Sequence, residues 1–184
     1  MVALIIIGVI LVLLIIFVIG IYNALVRLRN QVDNAWSQID VQLKRRHDLI
    51  PNLVETAKGY MEHERGTFEA ITEARSRAMG AKTVSEASQA EGGLSDALSK
   101  FMLVVENYPD LKANQNFLSL QEELTSTENK IAFARQGYND QVLFFNNKIQ
   151  MFPSNIIANS FNFTARDFFE IESAEEREVP KVSF

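Results

Sequence analysis

The residues best suited to chemistry are two histidines and the charges around them. His63 lies between Glu62 and Glu64, and His47 follows Lys44, Arg45 and Arg46. Imidazole beside carboxylate is the composition of a site that binds a divalent metal and activates water. A zincin, however, needs two histidines four residues apart on one helix face with a glutamate between them. Here His63 is followed by Glu64, Arg65, Gly66 and Thr67. No Glu-x-x-His recurs on a second helix to build a carboxylate site in a bundle. The histidines are therefore read as surface or helix-capping residues. The chain has no cysteine, which removes thiolate ligands, a cysteine nucleophile and any disulfide framework. It carries neither a G-x-S-x-G elbow nor a phosphate-binding glycine loop. No catalytic, cofactor or metal residue is assigned, and the expectation is a protein that is not an enzyme and needs no cofactor.

The basic cluster Lys44-Arg45-Arg46-His47 is read structurally. Arg45, Arg46 and Asp48 on the first helix, with Glu128 and Arg135 on the last long helix, form a candidate polar network. Thr127, together with Asn23, Asn30, Asn34 and Asn129 at or near an apolar stripe, is expected to set helix register. Trp36, the single tryptophan, is expected to pack in the core.

The elements that position these groups begin with unbroken hydrocarbon. Residues Val2 to Ile21 carry no charge, and only Gly8 and Gly20 interrupt a run of Ile, Leu and Val with Ala3 and Phe17. About 20 apolar residues cross a bilayer as a helix, so residues 1–22 are read as a transmembrane anchor. From Leu25 the apolar positions thin to Leu25, Leu28, Val32, Ala35, Ile39 and Leu43, spacings of three and four that keep one helix face apolar. The same register continues past Pro51 through Ile50, Leu53, Ala57, Tyr60, Glu64, Phe68, Ile71 and Ala74. This predicts one helix to about Met79, kinked near Asp48 by the proline and spanning on the order of 115 Å. Gly80 is its expected end, and Thr83 with Glu86 has the form of a capping box.

Residues 83–93 are rich in Ser, Ala, Glu and Gly and are expected to form a loosely packed connector with a short helix, broken at Gly92-Gly93. A second helix follows over Leu94, Leu98, Phe101, Val105 and Tyr108 and stops before Pro109. A third carries Phe117, Leu120, Leu124, Thr127, Ile131, Ala134, Tyr138, Val142, Phe145 and Ile149, a coiled-coil-like stripe that needs a partner and is expected to pack antiparallel on the first helix. Phe152-Pro153 ends it, with room for a short turn after it. The fold class is all-α: a transmembrane helix continuing into a long antiparallel helical bundle over residues 23–160. Residues 161–184 form a tail with Phe161, Phe163, Phe168, Phe169 and Phe184 among five glutamates, either capping the bundle or offering aromatic anchors to a partner.

Arg27, Arg29, Lys44, Arg45 and Arg46 follow the anchor, while only Met1 precedes the apolar run. The positive-inside rule then puts the N-terminus outside and the bulk in the cytoplasm, with a periplasmic bulk as the alternative. Arg27 and Arg29 are candidate contacts for lipid headgroups. A net charge of -5 argues against nucleic acid as a partner.

Several stretches are similar to the LemA family of bacterial membrane proteins. They are Tyr22-Asn23, Ala35-Trp36, Gln42, Arg45-Arg46, Asp48-Leu49-Ile50-Pro51-Asn52-Leu53 and His63-Glu64, then Tyr108-Pro109, Leu111-Lys112-Ala113, Leu124, Thr127-Glu128-Asn129-Lys130-Ile131, Ala134-Arg135, Tyr138-Asn139 and Phe152-Pro153. The resemblance covers nearly the whole chain. It implies a single N-terminal anchor in the bacterial inner membrane, an extended helical bundle and no established enzymatic activity. Relatives tied to magnetosome membranes or found beside membrane proteases are associations, not mechanisms. The expected function is a non-enzymatic scaffold that assembles with copies of itself and organises or remodels membrane lipid. The alternative is an adaptor or regulator for a membrane protease or signalling partner.

Overall fold

A computed structural model of the chain describes residues 1–170. Six helices follow in order: α1 (Val2–Lys58), α2 (Arg65–Gly80), α3 (Val84–Val105), α4 (Pro109–Lys112), α5 (Gln115–Gln150) and α6 (Ser154–Ser160). There is no strand among the described residues, and the fold is all-α. Two compact units share the two long helices: Met1–Gln38 with Gln136–Asp167, and Ile39–Arg135 with the segment from Phe168.

The apolar start of α1 is exposed along its whole length, from Val2 to Phe17. It is long and apolar enough to cross a membrane. The helix runs through Pro51, as its register predicts, but it ends at Lys58, not at Met79. Ala57 O accepts from the amides of both Tyr60 and Met61, at 2.9 and 3.0 Å, and folds the chain into a turn. The turn occupies a stretch flanked by Gly59 and Gly66, each of which costs a helix about 1 kcal/mol relative to alanine. The apolar phase reads through this turn because Met61, not Tyr60, enters the core.

The expected connector at 83–93 is also overturned. α3 is continuous from Val84 to Val105 through Gly92 and Gly93. Two glycines weaken a helix by only about 2 kcal/mol, and the face they interrupt buries Ala87, Glu91, Leu94, Phe101 and Val105. The capping signal is real: Thr83 Oγ1 accepts from Glu86 N at 3.1 Å. Glu86 returns the contact to Lys82 N at 2.8 Å, one residue before the cap. Pro109 opens α4 at its first turn, and Asn114 Oδ1 caps α5 by accepting from Phe117 N at 3.1 Å.

The unit from Ile39 to Arg135 is a bundle of five helical segments. Its core joins Ile50, Leu53 and Ala57 of α1 to Phe68 and Ile71 of α2, Leu94 and Phe101 of α3, Leu111 of α4, and Phe117 and Leu124 of α5. The segments of α1 and α5 in this unit run antiparallel. Tyr60 meets Asn114, and Arg46, as far back along the chain from Tyr60 as Glu128 lies forward from Asn114, meets Glu128. A constant register of this kind is what paired three-four stripes produce.

The unit of Met1–Gln38 and Gln136–Asp167 is built differently. Leu25 and Val32 of α1 are buried with Tyr138, Val142 and Phe145 of α5. The Trp36 ring meets Tyr138 edge-on at 5.5 Å. Beyond the cis peptide at Phe152-Pro153, α6 ends in a Schellman motif. Asn162 takes the left-handed conformation with φ 56°, which asparagine adopts more readily than most residues. Phe163 N donates to Ala158 O at 2.9 Å and Asn162 N to Asn159 O at 3.4 Å. The chain then returns along α5 as an extended strap. Asn146 holds it by a two-way amide pair with Arg166 N and O, both at 2.9 Å, and Tyr138 Oη donates to Asp167 O at 2.9 Å.

Candidate functional site

Carrying the α1 stripe from Leu43 by the three-four rule lands on Arg46 before it reaches Ile50. Carrying the α3 stripe back from Leu94 lands on Glu91. Both charged side chains therefore occupy core positions of their own helices. Arg46 is 2 % exposed and Glu91 1 %. Arg46 Nη1 donates to Glu91 Oε2 at 3.3 Å, while Nη2 reaches Ser95 Oγ at 2.8 Å and Glu128 Oε2 at 3.2 Å. His47 Nε2 lies 2.6 Å from Glu91 Oε1. One guanidinium thus ties α1 to α3 and α5. Taking these charges out of water is costly, and the cost is met only because each has a partner in place.

A second contact explains how α1 tolerates Pro51. The missing amide of a proline leaves the carbonyl four residues earlier without its helical partner, and that carbonyl belongs to His47. Arg75 Nε of α2 donates to His47 O at 2.7 Å. A side chain of the next helix thereby supplies the bond that the proline lacks, and α1 continues without a break.

Of the sequence-predicted network, Arg46 and Glu128 come together. Arg45 pairs with Glu123 instead, an exposed contact. Asp48 is exposed and Arg135 half-buried, and neither joins the cluster. Glu91 and His47, missing from the predicted network, are its buried members. Thr127 is fully buried, but its hydroxyl donates to Glu123 O of its own helix at 2.8 Å, the local satisfaction typical of Thr in a helix. The two oxygens of Glu91 are engaged by different side chains, Oε2 by Arg46 and Oε1 by His47.

His63 and Glu62 are exposed in a shallow depression with Lys58, Arg65, Phe68 and Glu69. Glu64 turns away from them: Tyr108 Oη donates to Glu64 Oε1 at 3.0 Å, and this bond raises the Tyr108 pKa above its ordinary value. Among the described residues, no three His, Asp or Glu side chains are grouped to hold a metal ion.

Arg27 and Arg29 are exposed just beyond the apolar run, and the Arg29 guanidinium lies over the Phe163 ring, 5.4 Å from its centroid. Phe163 and Phe169 of the tail are buried, whereas Phe161 and Phe168 are exposed. Phe184 and the glutamates from Glu172 onward lie outside the described residues.

The chain is 28% identical over 163 residues to Protein LemA of Metamycoplasma hominis, covering 88% of this chain and 74% of that protein. It is 24% identical over 179 residues to Magnetosome protein MamQ 2 of Paramagnetospirillum magneticum, covering 83% of this chain and 66% of that one. Magnetosome protein MamQ of Magnetospirillum gryphiswaldense is 22% identical over the same coverage. The chain spans about two thirds of the length of these magnetosome proteins. The LemA family model matches residues 35–184, a span that contains Arg46, His47, Pro51, Arg75, Glu91 and Glu128, and the chain belongs to the LemA family.

Proposed function

We propose that this protein is a non-enzymatic, single-pass scaffold of the bacterial inner membrane whose helical bundle assembles with copies of itself and so organises the lipid around it. The observation that carries the reading is the exposure of Phe133 on α5, at 80 %, and of Val41 on α1, at 62 %. The register that pairs Arg46 with Glu128 sets these two residues at one level of the antiparallel pair. Large apolar side chains left in water at one level of a long helical pair call for a protein partner. An anchor confines copies to one plane, and this raises the effective concentration at which such faces meet. Kinship with proteins named as magnetosome proteins supports a membrane-associated role. The engaged oxygens of Glu91 support a structural use of the polar cluster. The arginines after the anchor favour an external N-terminus and a cytoplasmic bulk.

The chain lacks cysteine, so Phe133→Cys gives a single reporter. In membranes, oxidative cross-linking of Phe133→Cys is expected to yield dimers, and Glu55→Cys, also on an exposed face, is not. Monomer alone from Phe133→Cys overturns the assembly face.

A further inference from the structure

The corner between α5 and α6 leaves four large apolar side chains in the open: Phe152 at 79 %, Met151 at 60 %, Ile156 at 55 % and Phe161 at 54 %. The short helix buries Ser154 and Ala158, so α6 turns its small residues inward and Ile156 outward, the reverse of a water-facing surface helix. The level of this corner along α1 is fixed by aromatic contacts. The Tyr22 ring lies 4.9 Å from Phe161 and 5.8 Å from Phe163, and Tyr22 directly follows the apolar run. Val18 and Ile21, inside the run, are already partly covered, whereas every residue before Val18 is exposed. The folded part of this unit therefore rises to the last turn of the hydrocarbon stretch.

We propose that the α5–α6 corner is a second membrane contact, with Met151, Phe152, Ile156 and Phe161 seated at the boundary between headgroups and acyl chains. This rests on the reading of α1 as a membrane anchor. Aromatic and bulky apolar side chains at that depth gain burial without crossing the bilayer. The cations next to the corner suit the same placement. Arg27 and Arg29 are exposed and Lys148 is half-buried, each able to reach anionic headgroups while its stem stays at the apolar edge. A helix with only an anchor can tilt and rotate freely. One clamped by a corner at the interface is held at one depth and one rotation.

The test uses the full chain in phosphatidylcholine–phosphatidylglycerol vesicles, with one introduced cysteine carrying an environment-sensitive fluorophore. Labels at Phe152→Cys and Ile156→Cys are expected to shift to the blue and to lose most of their emission to lipids with a nitroxide near the headgroup. A label at Gln136→Cys, exposed on α5 of the same unit, is expected to keep its emission. Leu11→Cys reports on the anchor through lipids with a deep nitroxide. An unquenched corner beside a quenched Leu11→Cys overturns the inference and leaves the anchor standing. Loss of quenching at Leu11→Cys overturns both. A blue shift at the corner without lipid quenching assigns these residues to a contact with another copy and also overturns the inference.

Discussion

The two units close their cores by opposite means. In the unit of Ile39–Arg135, charged residues sit where the stripe demands apolar ones, and Arg46 and Glu91 are buried against each other. In the unit of Met1–Gln38 and Gln136–Asp167 the third layer is a short helix and an extended strap, held by rings and by the amide of Asn146. A buried guanidinium accepts only alignments that set a carboxylate opposite it, so the charge pair specifies one packing of the helices. A ring clamp accepts graded shifts and gains energy with the area it covers. One unit is specified by a buried charge pair, and the other by ring contacts and the amide pair that pins its strap.

The comparison breaks most visibly at Arg46. Arg46→Ala leaves Glu91 buried with His47 alone and is expected to cost about 3–5 kcal/mol. Urea unfolding in detergent measures the total, and hydrogen exchange should locate the lost protection in α3 while α6 keeps its own. Combining Arg46→Met with Glu91→Leu should recover most of the loss. Equal losses in the two variants would count against an uncompensated charge as the cause.

A smaller effect is expected at Arg75. Arg75→Ala leaves His47 O unsatisfied, at about 1–3 kcal/mol. In a Pro51→Ala background the backbone amide returns, and the same change should cost clearly less. A double-mutant cycle measures the difference, and additivity would sever the link between the proline and the arginine.

Tyr138→Phe probes the strap and is expected to cost about 1 kcal/mol. Burial raises the Tyr138 pKa above 10.0; the Arg166 charge opposes the rise, and the carboxylates of Asp167 and Asp33 add to it. A raised folded value means that the neutral phenol contributes stability that is fully present below the unfolded value. That stability is lost as pH climbs from about 10 through the folded value. Exchange protection of the strap should fall in this alkaline window in the parent chain, and the fall should shrink in Tyr138→Phe.

The smallest effect sharpens the contrast between neighbours. Arg45 adjoins Arg46 but pairs with Glu123 at the surface, both side chains more than 40 % exposed. Arg45→Ala is expected to change stability by no more than about 0.5 kcal/mol in the same urea titration.

The stripes are legible wherever apolar residues repeat: α5 and its antiparallel pairing follow from spacing, while the end of α3 before Pro109 and the short α6 follow from the prolines. Two expectations fail for different physical reasons. Gly92-Gly93 signals a break by propensity, and the buried face of α3 overrides it. The α1–α2 turn was hidden because it preserves the apolar phase. The polar cluster was half legible. Arg46 and Glu128 stand in the expected network, but Glu91 lay in the supposed connector, and a charge at a core position breaks the pattern by which cores are found. The donation from Arg75 to His47 is a long-range contact that no local signal carries, although Pro51 announces that some donor is required.

The most direct test of the scaffold is the mass of the full-length chain in lipid nanodiscs, measured by mass photometry beside a form lacking residues 1–22. Assembly predicts a discrete particle of many copies for the full-length chain, reduced in size when the anchor is removed. A monomer mass for both would contradict a self-assembling scaffold.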